Sequence, residues 1–218
     1  CVSSNPTITN CTIQNNTDGI EANAGSQPTI TGNTFTGNTR PVSVYANRID
    51  STIYSNTYSG NTKDYIEVQG DYIDDNGTFV WAKDNGPYVV VGDVYVQRDN
   101  SSSQLSTLQI ASGTTVKFKN GIELFIGGSS TNYKGALTAT GVTFTSLDST
   151  GWPGIDFRSH AYDAGCSLDS CTIENAVDGI YCGDSNPTIT NSTIRNNTDG
   201  IYADASSQPT ISGNIFKN

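Results

Sequence analysis

The apolar positions of this chain fall into columns. Three stretches align without gaps: PTITNCTIQNNT from Pro6, PTITGNTFTGNT from Pro28 and STIYSNTYSGNT from Ser51. Ile8, Ile30 and Ile53 share one column, Ile13, Phe35 and Tyr58 a second, and Asn16, Asn38 and Asn61 a third. The pattern returns near the C-terminus, with Leu168, Ile189 and Ile211 in the first column and Ile173, Ile194 and Phe216 in the second. The step is about 22 residues, a length shared with leucine-rich repeats. Those need a leucine-dominated consensus, and leucine is scarce here. Each unit reads instead as three very short strands, in the first coil around Thr7–Thr9, Thr12–Ile13 and Gly19–Glu21. Strand alternation points one or two side chains of each strand inward. The Asn-Asn, Asn-Thr and Asp-Gly steps between them tolerate left-handed backbone. Three strands and three turns make a triangular prism whose coils stack in parallel about 4.8 Å apart. The expectation is an all-β solenoid of about ten coils, roughly 50 Å long.

The polar columns have structural explanations. An asparagine at the same turn of successive coils can bond to its neighbours above and below as an amide ladder. Asn16, Asn38 and Asn61 are predicted to do so. Asp18-Gly19, Asp178-Gly179 and Asp199-Gly200 each precede an Ile and are predicted turns.

A longer period overlies the short one. NPTITNCTIQNNTDGIEA from Asn5 reappears as NPTITNSTIRNNTDGIYA from Asn186, which indicates tandem duplication of a module of roughly 180 residues. The expected organisation is residues 1–80 as the C-terminal coils of one module and 81–218 as the N-terminal and middle coils of the next. The native protein is expected to be longer, with several modules. The segment from Asp71 to Gly86 is the predicted joint, continuous or broken into two packed units. From Trp81 to Phe157 the strands lengthen and gain Val, Ile and Phe, as in Gly113–Phe118 and Gly141–Ser146, consistent with longer coils of the same solenoid.

These residues resemble the right-handed parallel β-helix repeat family, whose fold is pectate-lyase-like, over nearly the whole chain. The middle section is similar to a recurring arrangement of prokaryotic tandem-module surface proteins. There, a Pro-Tyr-x-Val-x-Gly-Asp-Val-x-Val strand (Pro87–Val96) precedes Gly-Ala-Leu-x-Ala (Gly135–Ala139) and Gly-Trp-x-Gly-Ile (Gly151–Ile155). Relatives of this kind include lyases, epimerases, tailspikes, adhesins and stalks, so the resemblance implies a fold and leaves the function open.

Composition narrows the classes. Only 15% of residues are charged and the net charge is −10, with the acidic groups scattered. No basic stripe exists to release counterions from phosphates, so nucleic acid is not an expected partner. No apolar run is long enough to span a membrane as a helix. The five cysteines, Cys1, Cys11, Cys166, Cys171 and Cys182, show no CxxC spacing, and one histidine accompanies them, which disfavours zinc. By the duplication, Cys11 would neighbour the preceding module's counterpart of Cys171, so a disulfide between adjacent coils is one reading. Pairing of Cys166 with Cys182 and simple burial are others. Sequons at Asn10, Asn15, Asn76, Asn100, Asn191 and Asn196 fit a glycosylated surface protein.

Catalytic groups should break the repeat. The best acidic set is Asp71, Asp74 and Asp75, near Lys83 and Asp84, a loose calcium site or a solvated turn. His160 lies among Arg158 and Asp163, as a general base or a surface side chain. Trp81 and Trp152 could stack on sugars or pack a corner. Thr-x-Thr at Thr7/Thr9, Thr29/Thr31 and Thr188/Thr190 is interrupted by Tyr54 and reads as a solvent-facing strand rather than an ice-binding row. No catalytic constellation, cofactor motif or metal-ligand set emerges. The expected function is a non-catalytic structural or adhesive module of an extracellular or cell-surface filament protein. Its expected partners are copies of itself or adjacent modules stacked end to end, and cell-surface glycans. The alternative is a carbohydrate-binding or carbohydrate-processing β-helix.

Overall fold

The computed structural model describes residues 1–99, 104–130 and 132–218. It is an all-β parallel solenoid of about nine turns, about three strands per coil and about 24 residues per turn. At about 4.8 Å per coil the rod is about 43 Å long, shorter than expected because the middle coils take more residues. There Gly77 pairs with Ser106 and Ser106 with Gly135, whereas Thr7 pairs with Thr29.

The first coil contains Thr7–Thr9, Thr12–Gln14 and Asp18–Glu21, within a residue or so of the expected strands. The strands stay this short because the corners are left-handed. Asn10, Asn15, Asn191 and Asn196 have φ of 54°, 58°, 52° and 55°, a region that asparagine tolerates better than most residues. The columns stand in register: Ile8 on Ile30 on Ile53, and Ile13 on Phe35 on Tyr58. Ile30, Phe35, Ile53, Leu108, Phe144, Leu168 and Ile189 are fully buried in one continuous core that runs from Ile20 to Ile194.

Two asparagine ladders cross the N-terminal coils. Asn38 Oδ1 accepts the backbone N–H of Asn16 at 3.0 Å and its side-chain amide at 3.1 Å, and Asn61 does the same for Asn38. The second ladder was not expected. Asn33 accepts from the Cys11 N–H, Asn56 from Asn33 and Asp84 from Asn56.

The Asp-Gly steps are not turns. Asp18-Gly19 lies in the strand Asp18–Glu21, Asp178-Gly179 in Ala176–Cys182 and Asp199-Gly200 in Asp199–Ala203. Crowding calls for glycine there. A Cβ on Gly19 would lie 2.5 Å from the Pro41 carbonyl oxygen, and one on Gly200 3.2 Å from both Ile194 and Phe216.

The ladders change partners between the strands that flank the segment from Asp71 to Gly86. Thr12–Gln14, Thr34–Thr36 and Thr57–Ser59 form their own three-stranded sheet, and the third strand of the coil, Asp18–Glu21, begins a nine-stranded sheet. In the C-terminal copy the second strand, Thr193–Arg195, occupies the nine-stranded sheet and the third, Asp199–Ala203, a six-stranded one. The shift occurs where Tyr88–Val90 stacks on Ile66–Gln69. Gly86, which belongs to no strand, meets the Tyr58 ring there. The core passes through this point unbroken.

Candidate functional site

The outward face of the six-stranded sheet carries the most concentrated side-chain chemistry. Its strands are Asp71–Ile73, Val94–Val96, Leu124–Ile126, Trp152–Phe157, Ala176–Cys182 and Asp199–Ala203. Val94, Leu124, Ile155 and Ile180 point into the core. One residue on, the register sets Tyr72, Tyr95, Phe125, Asp156, Tyr181 and Tyr202 in a single outer column.

The rings of that column lie on one another. Tyr72 and Tyr95 have centroids 4.8 Å apart, Tyr95 and Phe125 4.7 Å, and Tyr181 and Tyr202 5.5 Å, with interplanar angles of 17°, 15° and 7°. The Arg158 guanidinium covers the Phe125 ring at 3.8 Å and donates from Nε to Asp156 Oδ2 at 3.0 Å. Coil stacking alone imposes this arrangement, because identical positions in parallel register sit about 4.8 Å apart. Its chemical consequence is that Tyr95 and Phe125 have both faces occupied, while Tyr72 and Tyr202, at the ends of their stacks, stay 46% and 49% exposed.

Carboxylates gather beside the rings. Burial pushes the Glu123 carboxyl up to about 7, with repulsion from Asp156, Asp93 and Asp178 adding to it and Arg158 opposing. Burial also raises Asp156, against its bond to Arg158, and raises Asp178, where Asp199 adds repulsion. Asp156 Oδ1 is buried without a hydrogen-bond partner. A β-bulge between Gly154 and Ile155 interrupts the pairing with Ala176–Cys182, and bulges commonly re-aim side chains beside functional sites. Carboxyls pushed upward side by side are the kind of group that acid–base chemistry uses.

Residues 1–94 and 120–218 match the family model described as a right handed beta helix region. The chain belongs to the right-handed β-helix family. No curated protein matches it, and no solved structure does.

Of the candidates drawn from the sequence, Arg158 joins this outer column, and among the described residues the others form no site of their own. Asp84 is buried in the second asparagine ladder, away from solvent. Asp71 accepts the Tyr72 N–H, while the main-chain carbonyls of Asp74 and Asp75 accept from Arg98 and Ser106. Among the described residues no three acidic, histidine or cysteine side chains converge as a metal site. The His160, Arg158 and Asp163 set does not assemble either. His160 Nδ1 lies 3.1 Å from the Gly128 carbonyl, Arg158 turns to Phe125, and Asp163 accepts from Asn186. Trp81 and Trp152 are each 1% exposed, and their indole N–H groups donate to Ala46 and Glu174 carbonyls, so neither offers a ring to a sugar.

The five cysteines are free. Cys166, Cys171 and Cys182 are buried and Cys11 is exposed. Cys171 donates its backbone N–H to Ser192 Oγ, and its thiol points away, toward the Ala139 and Asp169 carbonyls. The sequon residues Asn10, Asn15, Asn76, Asn191 and Asn196 are exposed, though the Asn191 amide is held by Asp169 at 2.8 Å. The sequon at Asn100 lies outside the described residues.

Glu123 and Asp156 carry no signal of their own in the sequence, and Asp178 stands there only as part of an Asp-Gly step. Their coils have unequal lengths, so no fixed spacing in the sequence connects them. The aromatic column Tyr72, Tyr95 and Phe125 was hidden for the same reason.

Proposed function

We propose that this β-helix is a non-catalytic structural or adhesive module of an extracellular tandem-repeat surface or filament protein. The observation that carries the reading is the ring geometry of the outer column. Aromatic platforms for sugars present their faces, and here Tyr95 and Phe125 have theirs covered by each other, by Tyr72 and by Arg158. The side chains of this column hold one coil to the next, as the asparagine ladders do. The duplicated module and the exposed sequon asparagines support the same reading.

A second reading, a carbohydrate-processing β-helix, draws on the raised carboxyls Glu123, Asp156 and Asp178 beside the bulge. A glycan array together with a lyase and hydrolase screen separates the two. The structural reading expects no turnover. Turnover that Glu123→Gln abolishes would replace it with the second.

A further inference from the structure

Asparagine followed by glycine occurs three times, at Asn76-Gly77, Asn85-Gly86 and Asn120-Gly121. The pair carries latent chemistry. The glycine nitrogen, unshielded by a Cβ, can attack the asparagine side-chain carbonyl carbon and close a five-membered succinimide. The three steps share a sequence but not their surroundings, and the surroundings decide which of them reacts.

At the first two steps the reacting groups are held. The Gly77 N–H donates to the Leu105 carbonyl at 3.0 Å, while Asn76 Oδ1 accepts the Leu105 N–H at 3.4 Å. Asn85 donates its side-chain amide to the Asn56 carbonyl at 2.6 Å and its backbone N–H to Asp84 Oδ1 at 2.8 Å. Gly86 is buried against the Tyr58 ring, which a Cβ there would meet at 2.8 Å. Asn120-Gly121 differs on every count. The two residues are the middle of a turn that the Ile122 N–H closes onto the Lys119 carbonyl at 3.0 Å. Gly121 has a φ of 75°, as the third position of a type II turn requires. Both residues are exposed, and a Cβ on Gly121 would meet nothing within 4 Å. Among the described residues, neither the Gly121 N–H nor the Asn120 side chain makes a hydrogen bond.

We infer that Asn120 is a site of spontaneous covalent modification, by cyclisation onto Gly121 and hydrolysis to isoaspartate. The Gly121 nitrogen loses its proton to solvent base and bonds to Asn120 Cγ. The Cγ–Nδ2 bond breaks, and the departing nitrogen takes up a proton and leaves as ammonia. Water then opens the ring. Breaking the new bond to Cγ gives aspartate, and breaking the original main-chain bond gives isoaspartate, with the main chain routed through the side-chain carbon. Either product adds one negative charge, beside Lys119, to a chain already at −10. Isoaspartate also lengthens the corner that carries the chain from Thr115–Phe118 in the nine-stranded sheet to Leu124–Ile126 in the six-stranded one.

The test is to hold the wild type at mildly alkaline pH in heavy-oxygen water and follow all three steps by mass-spectrometric peptide mapping. Asn120 should convert roughly tenfold faster than Asn76 or Asn85, whose groups must first break their hydrogen bonds. It should take up heavy oxygen, speed up with pH and give mostly isoaspartate. In urea the three rates should converge, because local protection is gone. Asn120→Gln would have to close a less favoured six-membered ring. It should lose the fast conversion, leave the other two rates unchanged and melt like the wild type. An Asn76 or Asn85 that converts as fast as Asn120 in the folded protein, an Asn120 that stays intact there, or a product that is aspartate alone overturns the inference.

Discussion

Asp84 accepts the backbone N–H of Asn56 at 2.7 Å and the side-chain amide of Asn56 at 3.0 Å. An aspartate thereby continues an asparagine ladder across the point where the sheets change partners. It also accepts from the Tyr58 hydroxyl at 2.9 Å and the Asn85 N–H at 2.8 Å, while only 2% exposed. Asp84→Ala leaves the buried Asn56 N–H without an acceptor and the Tyr58 hydroxyl without its partner, while the Asn56 amide keeps the Ile30 and Tyr54 carbonyls, and an unsatisfied buried group costs about 1–3 kcal/mol. Urea unfolding should show a loss of about 3 kcal/mol or more. Asp84→Asn keeps one acceptor but aims an NH2 group at donors, so its loss should be intermediate.

Glu123 gives the rod a pH dependence of predictable sign. Its folded pKa, pushed up to about 7 by burial first and then by neighbouring carboxylates, lies above the unfolded value of about 4.3. The folded state therefore holds the proton more tightly. The stability this contributes is fully present below about pH 4 and is lost as pH rises through 7. Glu123→Gln should melt higher than the wild type at pH 8 and show no such gain at pH 4.5. Asp156 and Asp178 shift in the same direction and remain in the variant, so the difference between the two proteins isolates Glu123.

The thiols should separate by burial. Burial pushes Cys166 and Cys182 up to about 12 and raises Cys171. A thiol reacts as its thiolate, so these three should resist a chromogenic disulfide reagent in the native protein and react after denaturation. Cys11 should react at once. Rapid native labelling of any of the three would contradict the packing described.

Much of the fold was legible because equal coil lengths put like residues in step. Ile8, Ile30 and Ile53 announce an inward column, and Asn16, Asn38 and Asn61 a ladder, by spacing alone. Where coil lengths vary, spacing loses that power. Asn33, Asn56 and Asp84 form a ladder whose last member changes residue type, and Asp156 and Asp178 become neighbours of Glu123 only through the long middle coils. The Asp-Gly steps misled for another reason. Their usual turn preference is local, while Gly19 and Gly200 answer to crowding from the next coil, which appears only after stacking.

The central claim is that the outward aromatic column binds coil to coil rather than a ligand, and Tyr95 tests it most directly. Its ring lies between Tyr72 at 4.8 Å and Phe125 at 4.7 Å. Aromatic pairs contribute about 0.5–1.5 kcal/mol each beyond area burial. Equilibrium unfolding of Tyr95→Ser should therefore show a loss of about 1–3 kcal/mol. Tyr54→Ser, at a ring 44% exposed, should stay within about 0.5 kcal/mol of the wild type. A Tyr95→Ser protein that unfolds like the wild type but no longer retains a glycan that the wild type binds would contradict the account.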